Sequence, residues 1–149
     1  MSGFFGIGIY HSKTPENIGT LWRSAFAFGA SFVFTVGERY KPQPTDTTKS
    51  WRNIPCWHFT SIGDLQLHLP AETELIGVEL NPKAKSLPAF THPKLGCYLL
   101  GAEDRGLDEE SLAACSRLVV VPGASRCLNV STAGSLVIYD RWCKEQKPL

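Results

Sequence analysis

The sequence predicts an α/β fold, a mostly parallel sheet with helices on both faces, and three observations carry that expectation. Short apolar runs rich in Val, Ile and Leu alternate along the chain with segments of helical period. These runs are apolar throughout instead of alternating with polar residues, which strands covered on both faces require. Helix starts and stops are marked by capping residues, proline and glycine where a helix needs them.

In chain order, FGIGIY (Phe5 to Tyr10) reads as a buried strand. Thr14 to Gly29 reads as a helix, with Thr14 as N-cap, Pro15 at the first helical position and Gly29 just past the end. SFVFTVG from Ser31 is a strand, and the stretch from about Tyr40 to Thr60, with Pro42, Pro44 and Pro55, reads as loop. SIGDLQLHL from Ser61 is a short helix, ELIGVEL from Glu74 a strand and KLGCYLLGA from Lys94 another. DEESLAAC from Asp108 is a helix, RLVVVPG from Arg117 a strand, and a last helix occupies the end of the chain. Without an internal repeat, linker or low-complexity segment, residues 1–149 are expected to form one domain around one core.

Composition bounds the function classes. The chain is 43% hydrophobic and 19% charged, and no run approaches the roughly 20 apolar residues of a membrane span. Its start, MSGFFGIGIYH, has neither a basic leader nor a small-residue cleavage site, so the cytoplasm is the expected location. Cys56, Cys97, Cys115, Cys127 and Cys143 are odd in number and never spaced C-x-x-C. That excludes a disulfide framework or a zinc site of the usual spacing and leaves reduced thiols acting as small apolar fillers, with no metal expected. A net charge of +1 neither demands nor excludes nucleic acid. Two local excesses of base stand out, Arg39, Lys41, Lys49 and Arg52, and then Lys83, Lys85 and Lys94.

A ligand of such a fold sits at the carboxyl ends of the strands. There GVELNP, GAEDRGL and VVPGASRCLN each follow an apolar run directly, so three loops are expected to converge on one crevice. FGIGIYH offers G-x-G without a correctly placed third glycine, and no P-loop is present. Three stretches carry chemistry. In ENIGTLWRSA, Ile18, Leu21, Trp22 and Ala25 form an apolar stripe while Arg23 points away from it, where its fork suits a phosphate. In LLGAEDRGL, Glu103 lies just past a strand and Gly106 makes the turn into the next helix; the acid is either an ordinary cap or a partner for an arginine or a hydroxyl. In SRCLNVSTAGSLVIYDR, Asn129, Ser131 and Thr132 suit a helix start. The helix they open is apolar nearly all round, from Val130, Ala133, Val137 and Ile138 to Leu136, Tyr139 and Cys143, so a second subunit is expected to cover part of it.

In this order and near these separations, N-x-G-x-x-x-R, G-A-E-x-x-G-L and C-L-N-V-S resemble the three motifs of the SpoU/TrmH family of RNA ribose 2′-O-methyltransferases, in the SPOUT superfamily. The match covers almost the whole chain. The resemblance implies an α/β fold whose C-terminal part is tied in a deep trefoil knot, an exception to the rule against knots. It also implies S-adenosylmethionine as cofactor, a tRNA or rRNA substrate, and a site completed across a homodimer. Carried over by motif, Asn17, Arg23, Glu103 and Asn129 fall on catalytic or site-organising positions, with Ser131 beside them. Leu80, Gly101, Val121, Pro122 and Leu128 fall where the cofactor is contacted, mostly through main chain.

The implied chemistry is in-line displacement of a methyl group from a sulfonium by a ribose hydroxyl. A guanidinium stays protonated, so Arg23 is expected to hold the phosphate beside the ribose and steady the developing alkoxide, with the proton leaving to phosphate or water. Two departures from the pattern are visible. Cys127 stands where the family has serine, and the N-terminal RNA-binding and C-terminal helical extensions of larger members are expected to be missing from residues 1–149. Three alternatives remain open at this point: methylation of a pyrimidine carbon with Cys127 as nucleophile, a non-catalytic dimeric RNA-binding protein of the same fold, and a flavodoxin-like nucleotide-binding module.

Overall fold

The computed structural model describes residues 3–37, 53–123 and 128–146. Among the described residues seven strands and four α-helices follow in the order β1 (Phe4–Tyr10), α1 (Pro15–Ala27), β2 (Phe32–Val36), β3 (Cys56–Phe59), α2 (Ile62–His68), β4 (Glu74–Val78), β5 (Lys85–Ser86), β6 (Leu95–Leu100), α3 (Glu109–Ala114), β7 (Arg117–Val120) and α4 (Val130–Glu145). A 3₁₀ turn, Leu87–Ala89, follows β5. The sheet runs β3-β2-β1-β6-β4-β7-β5, and every pairing in it is parallel.

The apolar strands bury both faces, as expected of them. On one face Ile7, Ile9, Val33, Ile76, Tyr98, Leu100 and Val119 pack with Ile18, Leu21, Trp22 and Ala25 of α1 and Val137 and Ile138 of α4. On the other, Phe32, Phe34, Cys97 and Leu99 pack with Ile62 and Leu65 of α2 and with Leu112 and Ala114 of α3. The G-x-G of β1 belongs to this second layer, because a Cβ at Gly6 or Gly8 would lie within 2.5 Å of the Phe32 or Phe34 ring. Those glycines make room for phenylalanines, not for a phosphate.

One expectation needs correction and one needs detail. Cys56–Phe59 is an edge strand and not loop; its pattern of partial exposure, with Trp57 open to solvent, lacks the continuous apolar run that marks the inner strands. Thr14 occupies the N-cap position of α1 but its side chain makes no capping bond, and it is Asn17 N–H that donates to the Thr14 carbonyl. Ser61 and Asp108 do cap α2 and α3 through their side chains. The short strand β5 was also hidden, since two residues carry no periodicity.

The cysteines follow their burial. Burial pushes the Cys56 thiol up to about 12 and that of Cys115 to about 11, and it raises Cys97 further still. Cys143 is exposed, so it is not a filler. Cys127 and the basic group Arg39, Lys41, Lys49 and Arg52 lie outside the described residues. No helix among the described residues is long and apolar enough to cross a membrane.

Candidate active site

The carboxyl ends of β4, β6 and β7 open onto one cavity of about 320 Å³, within the range of small-molecule sites. It is lined from three directions, by Val78 to Leu80 after β4, by Leu100 to Gly106 after β6, and by Val120 and Val121 with Leu128, Val130 and Ala133 where α4 begins. Of the five residues expected to contact a cofactor, Leu80, Gly101, Val121 and Leu128 line this space, and Pro122, exposed, does not. Leu80 is 65% exposed and Leu128 39%, an unusual degree for leucines at the rim of a cavity.

Beside the cavity a chain of hydrogen bonds joins three elements. Asn17 Nδ2 donates to Glu103 Oε1 at 2.8 Å, Asn129 Nδ2 donates to Asn17 Oδ1 at 3.0 Å, and Ser131 Oγ donates to Asn129 Oδ1 at 2.5 Å. Asn17 and Ser131 are buried, at 6% and 4% exposure, although both are polar. One end sets the polarity of the chain. An ionised carboxylate only accepts, so Asn17 must turn its amide nitrogen to Glu103 and its oxygen to Asn129. Asn129 then presents its own oxygen to Ser131 and to the Thr132 N–H, closing the N-terminus of α4.

Glu103 is held from a second side by Ser12 Oγ and the Lys13 N–H, each at 3.1 Å. Partial burial raises its pKa, but the hydrogen bonds from Asn17, its own backbone, Lys13 and Ser12 outweigh that, and the carboxyl lies below its ordinary value of 4.5. The relay is therefore ionised at its acidic end throughout the neutral range. Ser12 and Lys13 escaped the sequence reading, because they sit in the turn before the N-cap, where no periodicity points. Their one signal was position, between the end of a strand and a helix start.

Arg23 stands apart. It is exposed on α1, and among the described residues no hydrogen bond links it to the Glu103 chain. Six residues separate it from Asn17, about one and two-thirds helical turns, so the two side chains leave the helix in different directions. Gly106, at φ +67°, closes the loop that carries Glu103, with its N–H donating to the Ala102 carbonyl. Among the described residues no group of three or more His, Cys, Asp or Glu is placed to hold a metal ion.

Residues 5–139 match the model of the SpoU rRNA Methylase family. The chain is 27% identical over 131 residues to the tRNA (guanosine(18)-2′-O)-methyltransferase of Escherichia coli K12, covering 85% of this chain and 57% of that protein. Its fold matches that of the SpoU methyltransferase AviRb from Streptomyces viridochromogenes, solved in complex with AdoMet. The TM-score there is 0.85, at 24% identity over 97% of this chain and 58% of the other. It also matches a structure solved for the 2-OH methylation of C/U34 on tRNA, with a TM-score of 0.81 at 22% identity over 97% and 99%. The chain spans little more than half the length of the curated relatives it matches.

Proposed function

The chain belongs to the SpoU rRNA Methylase family, and from that premise we propose that it is an S-adenosylmethionine-dependent RNA methyltransferase acting on a ribose 2′-hydroxyl of tRNA or rRNA. The observation that carries this reading is the hydrogen-bonded chain Glu103, Asn17, Asn129 and Ser131 at the rim of a cavity built by the β4, β6 and β7 ends. Each relative named above modifies RNA or is called a methyltransferase.

The residues present fit the cofactor by their chemistry. The cavity offers leucine and valine side chains for an apolar ring and main-chain groups of a glycine-containing turn for polar edges. S-adenosylmethionine supplies, when bound, an electrophilic methyl group on a sulfonium. The leucines at 80 and 128 exclude water from the rim, and Gly101 lets backbone approach closely, since a Cβ there would lie 2.3 Å from the Gly106 carbonyl carbon. Asn129 and Ser131 orient groups at the mouth, and Glu103 fixes their polarity. Arg23 binds the phosphate beside the target ribose and steadies the oxygen as its proton leaves to phosphate or water.

In this reading residues 1–149 act as one domain in the cytoplasm, its C-terminal part forms a trefoil knot, and two copies pair. Leu136, Tyr139 and Trp142 of α4, each 40–48% exposed, form the apolar face for that pairing, with Phe28 in ring contact with Tyr139. A dimer also gives the isolated Arg23 a way to meet a site on the other copy. The 2′-O-methyltransferase names of the curated relatives favour a ribose acceptor over a pyrimidine carbon; Cys127 lies outside the described residues.

The test is transfer of tritiated methyl from S-adenosylmethionine to total tRNA and rRNA fractions, followed by nucleoside analysis. Label on a ribose is the expected result, and label on a base overturns the reading. A pH–rate profile that showed an essential base, lost in Arg23→Lys, would refute the role given to Arg23.

A further inference from the structure

Glu79 is a carboxylate in the cavity wall to which the motifs give no role. It follows β4 directly, and its carboxylate accepts two main-chain hydrogen bonds, one from the Leu80 N–H at 2.9 Å and one from the Leu107 N–H at 2.7 Å. Its own N–H donates to the Val119 carbonyl of β7 at 3.0 Å. One residue thus joins the β4 exit, the β6–α3 loop and β7, which are three of the walls around the cavity. The fit is tight. A Cβ at Gly106 would lie 2.5 Å from Glu79 Oε2, so the carboxylate rests against the bare Cα of the turn that carries Glu103.

We propose that Glu79 is a positioning residue for the cofactor cavity, tying the wall at Leu80 to the wall from Gly101 to Leu107 through the Leu80 and Leu107 N–H groups before any ligand arrives. The proposal rests on the methyltransferase reading given above. The two N–H donors reach different oxygens of the one carboxylate, Leu80 N–H to Oε1 and Leu107 N–H to Oε2; glutamine keeps one acceptor and turns an N–H₂ toward the other donor. A preformed cavity binds more tightly than one that a ligand must first order.

The experiment is S-adenosylmethionine binding by calorimetry, together with steady-state methyl transfer, for the wild-type chain and Glu79→Gln. The dissociation constant and KM for S-adenosylmethionine should rise about tenfold, the size of one lost hydrogen bond, with kcat and the KM for RNA within about twofold. A brace important only for stability lowers the active fraction and so kcat, leaving the KM for S-adenosylmethionine alone; that outcome overturns the proposal, as does unchanged binding. Amide exchange in the wild-type chain without cofactor is a second measurement that needs no variant to fold. The Leu80 and Leu107 amides should be protected, and exchange at the rate of open loop amides would also overturn the proposal. A wild-type chain that binds no S-adenosylmethionine overturns the methyltransferase reading itself, whereas binding that Glu79→Gln leaves unaltered overturns this inference alone.

Discussion

The two ends of α4 are tied to the sheet by networks of opposite character. At its start Asn129 and Ser131 reach Asn17 through neutral amides and a hydroxyl, and a single carboxylate, Glu103, closes the chain at a half-open rim. At its end the ties are charged, with Arg141 and His92 buried and Asp140, Lys144 and Glu145 partly open. Arg141, 1% exposed, donates to Tyr98 Oη at 3.1 Å and to the Pro93 and Lys94 carbonyls, pairs with Glu145 and stacks on the Phe5 ring. His92 lies between Tyr98 Oη at 2.6 Å and Asp140 at 2.8 Å, and Lys144 pairs with Asp140 and donates to the Leu87 and Phe90 carbonyls. Charges taken out of water hold only if every partner is in place, so the second network pins the helix to the amino end of β6. The neutral one ends on Glu103, which lines the cavity, with Asn17, Asn129 and Ser131 bonded in a chain to it. One end of α4 is an anchor, and the other belongs to the candidate site.

The largest effect should come from breaking the anchor. Arg141→Met removes the donor to the Pro93 carbonyl and to Tyr98 Oη and leaves Glu145 without its partner, while the Lys94 carbonyl keeps its bond from the Phe4 N–H; the change should cost about 3–5 kcal/mol of stability. It would appear as a lower urea midpoint at unchanged slope, with methyl transfer per folded molecule preserved. The converse comes from Asn17→Asp, which sets a second carboxylate against Glu103 and reverses the polarity of the chain. Methyl transfer at saturating substrates should fall about 10²-fold, as for a misplaced reacting group, with a much smaller change in urea midpoint than Arg141→Met gives. If the two variants lost stability and activity in equal proportion, the division of labour along α4 would be wrong.

Acid should separate the two ends further. Burial lowers the pKa of His92 below its ordinary 6.5, with the Arg141 and Lys144 charges acting in the same direction and Asp140 opposing them. The unfolded chain therefore takes up that proton first, so the stability His92 contributes is complete above pH 6.5 and declines as pH falls below it. Glu103, whose carboxyl is depressed, contributes stability that is present above 4.5 and lost as pH falls through its lower folded value. Urea unfolding across pH should show two acid phases. His92→Gln should flatten the upper one and Glu103→Gln should shrink the lower, to which the depressed carboxyl of Asp108 also contributes, and a single phase insensitive to His92→Gln would contradict the assignment. The smallest effect belongs to the middle of the helix, where Ser135 Oγ meets Ser24 Oγ and the Ser131 carbonyl, both at 2.7 Å. Ser135→Ala should alter stability by no more than about 1.5 kcal/mol, measured by the same unfolding curves.

Much of the first network was legible in advance, and almost none of the second. Asn17, Glu103, Asn129 and Ser131 fall at helix starts and strand ends, where local rules attract attention to polar residues. Arg141 and His92 sit inside a helix and a loop, and a charged residue in such a place reads as solvated surface. Nothing in the letters around position 141 announces that Tyr98, 43 residues earlier, offers its hydroxyl there. The same holds for Glu79, whose partner at Leu107 is 28 residues away.

The sequence alone determined the order of the helices and of the inner apolar strands, though not the short strands β3 and β5, together with the two-sided burial and the helix boundaries to within a residue or two, because each depends on periodicity and capping within a few residues. It also carried the family motifs, which are local strings. Tertiary structure decided which polar residues meet: that Glu103 accepts from Asn17 across 86 positions, that Arg141 is buried, and that Arg23 stays clear of the cluster. Hydrogen bonds last only within about 3 Å. Which groups come that close is settled by how the sheet orders its strands, β6 between β1 and β4, and no single stretch of chain contains that information.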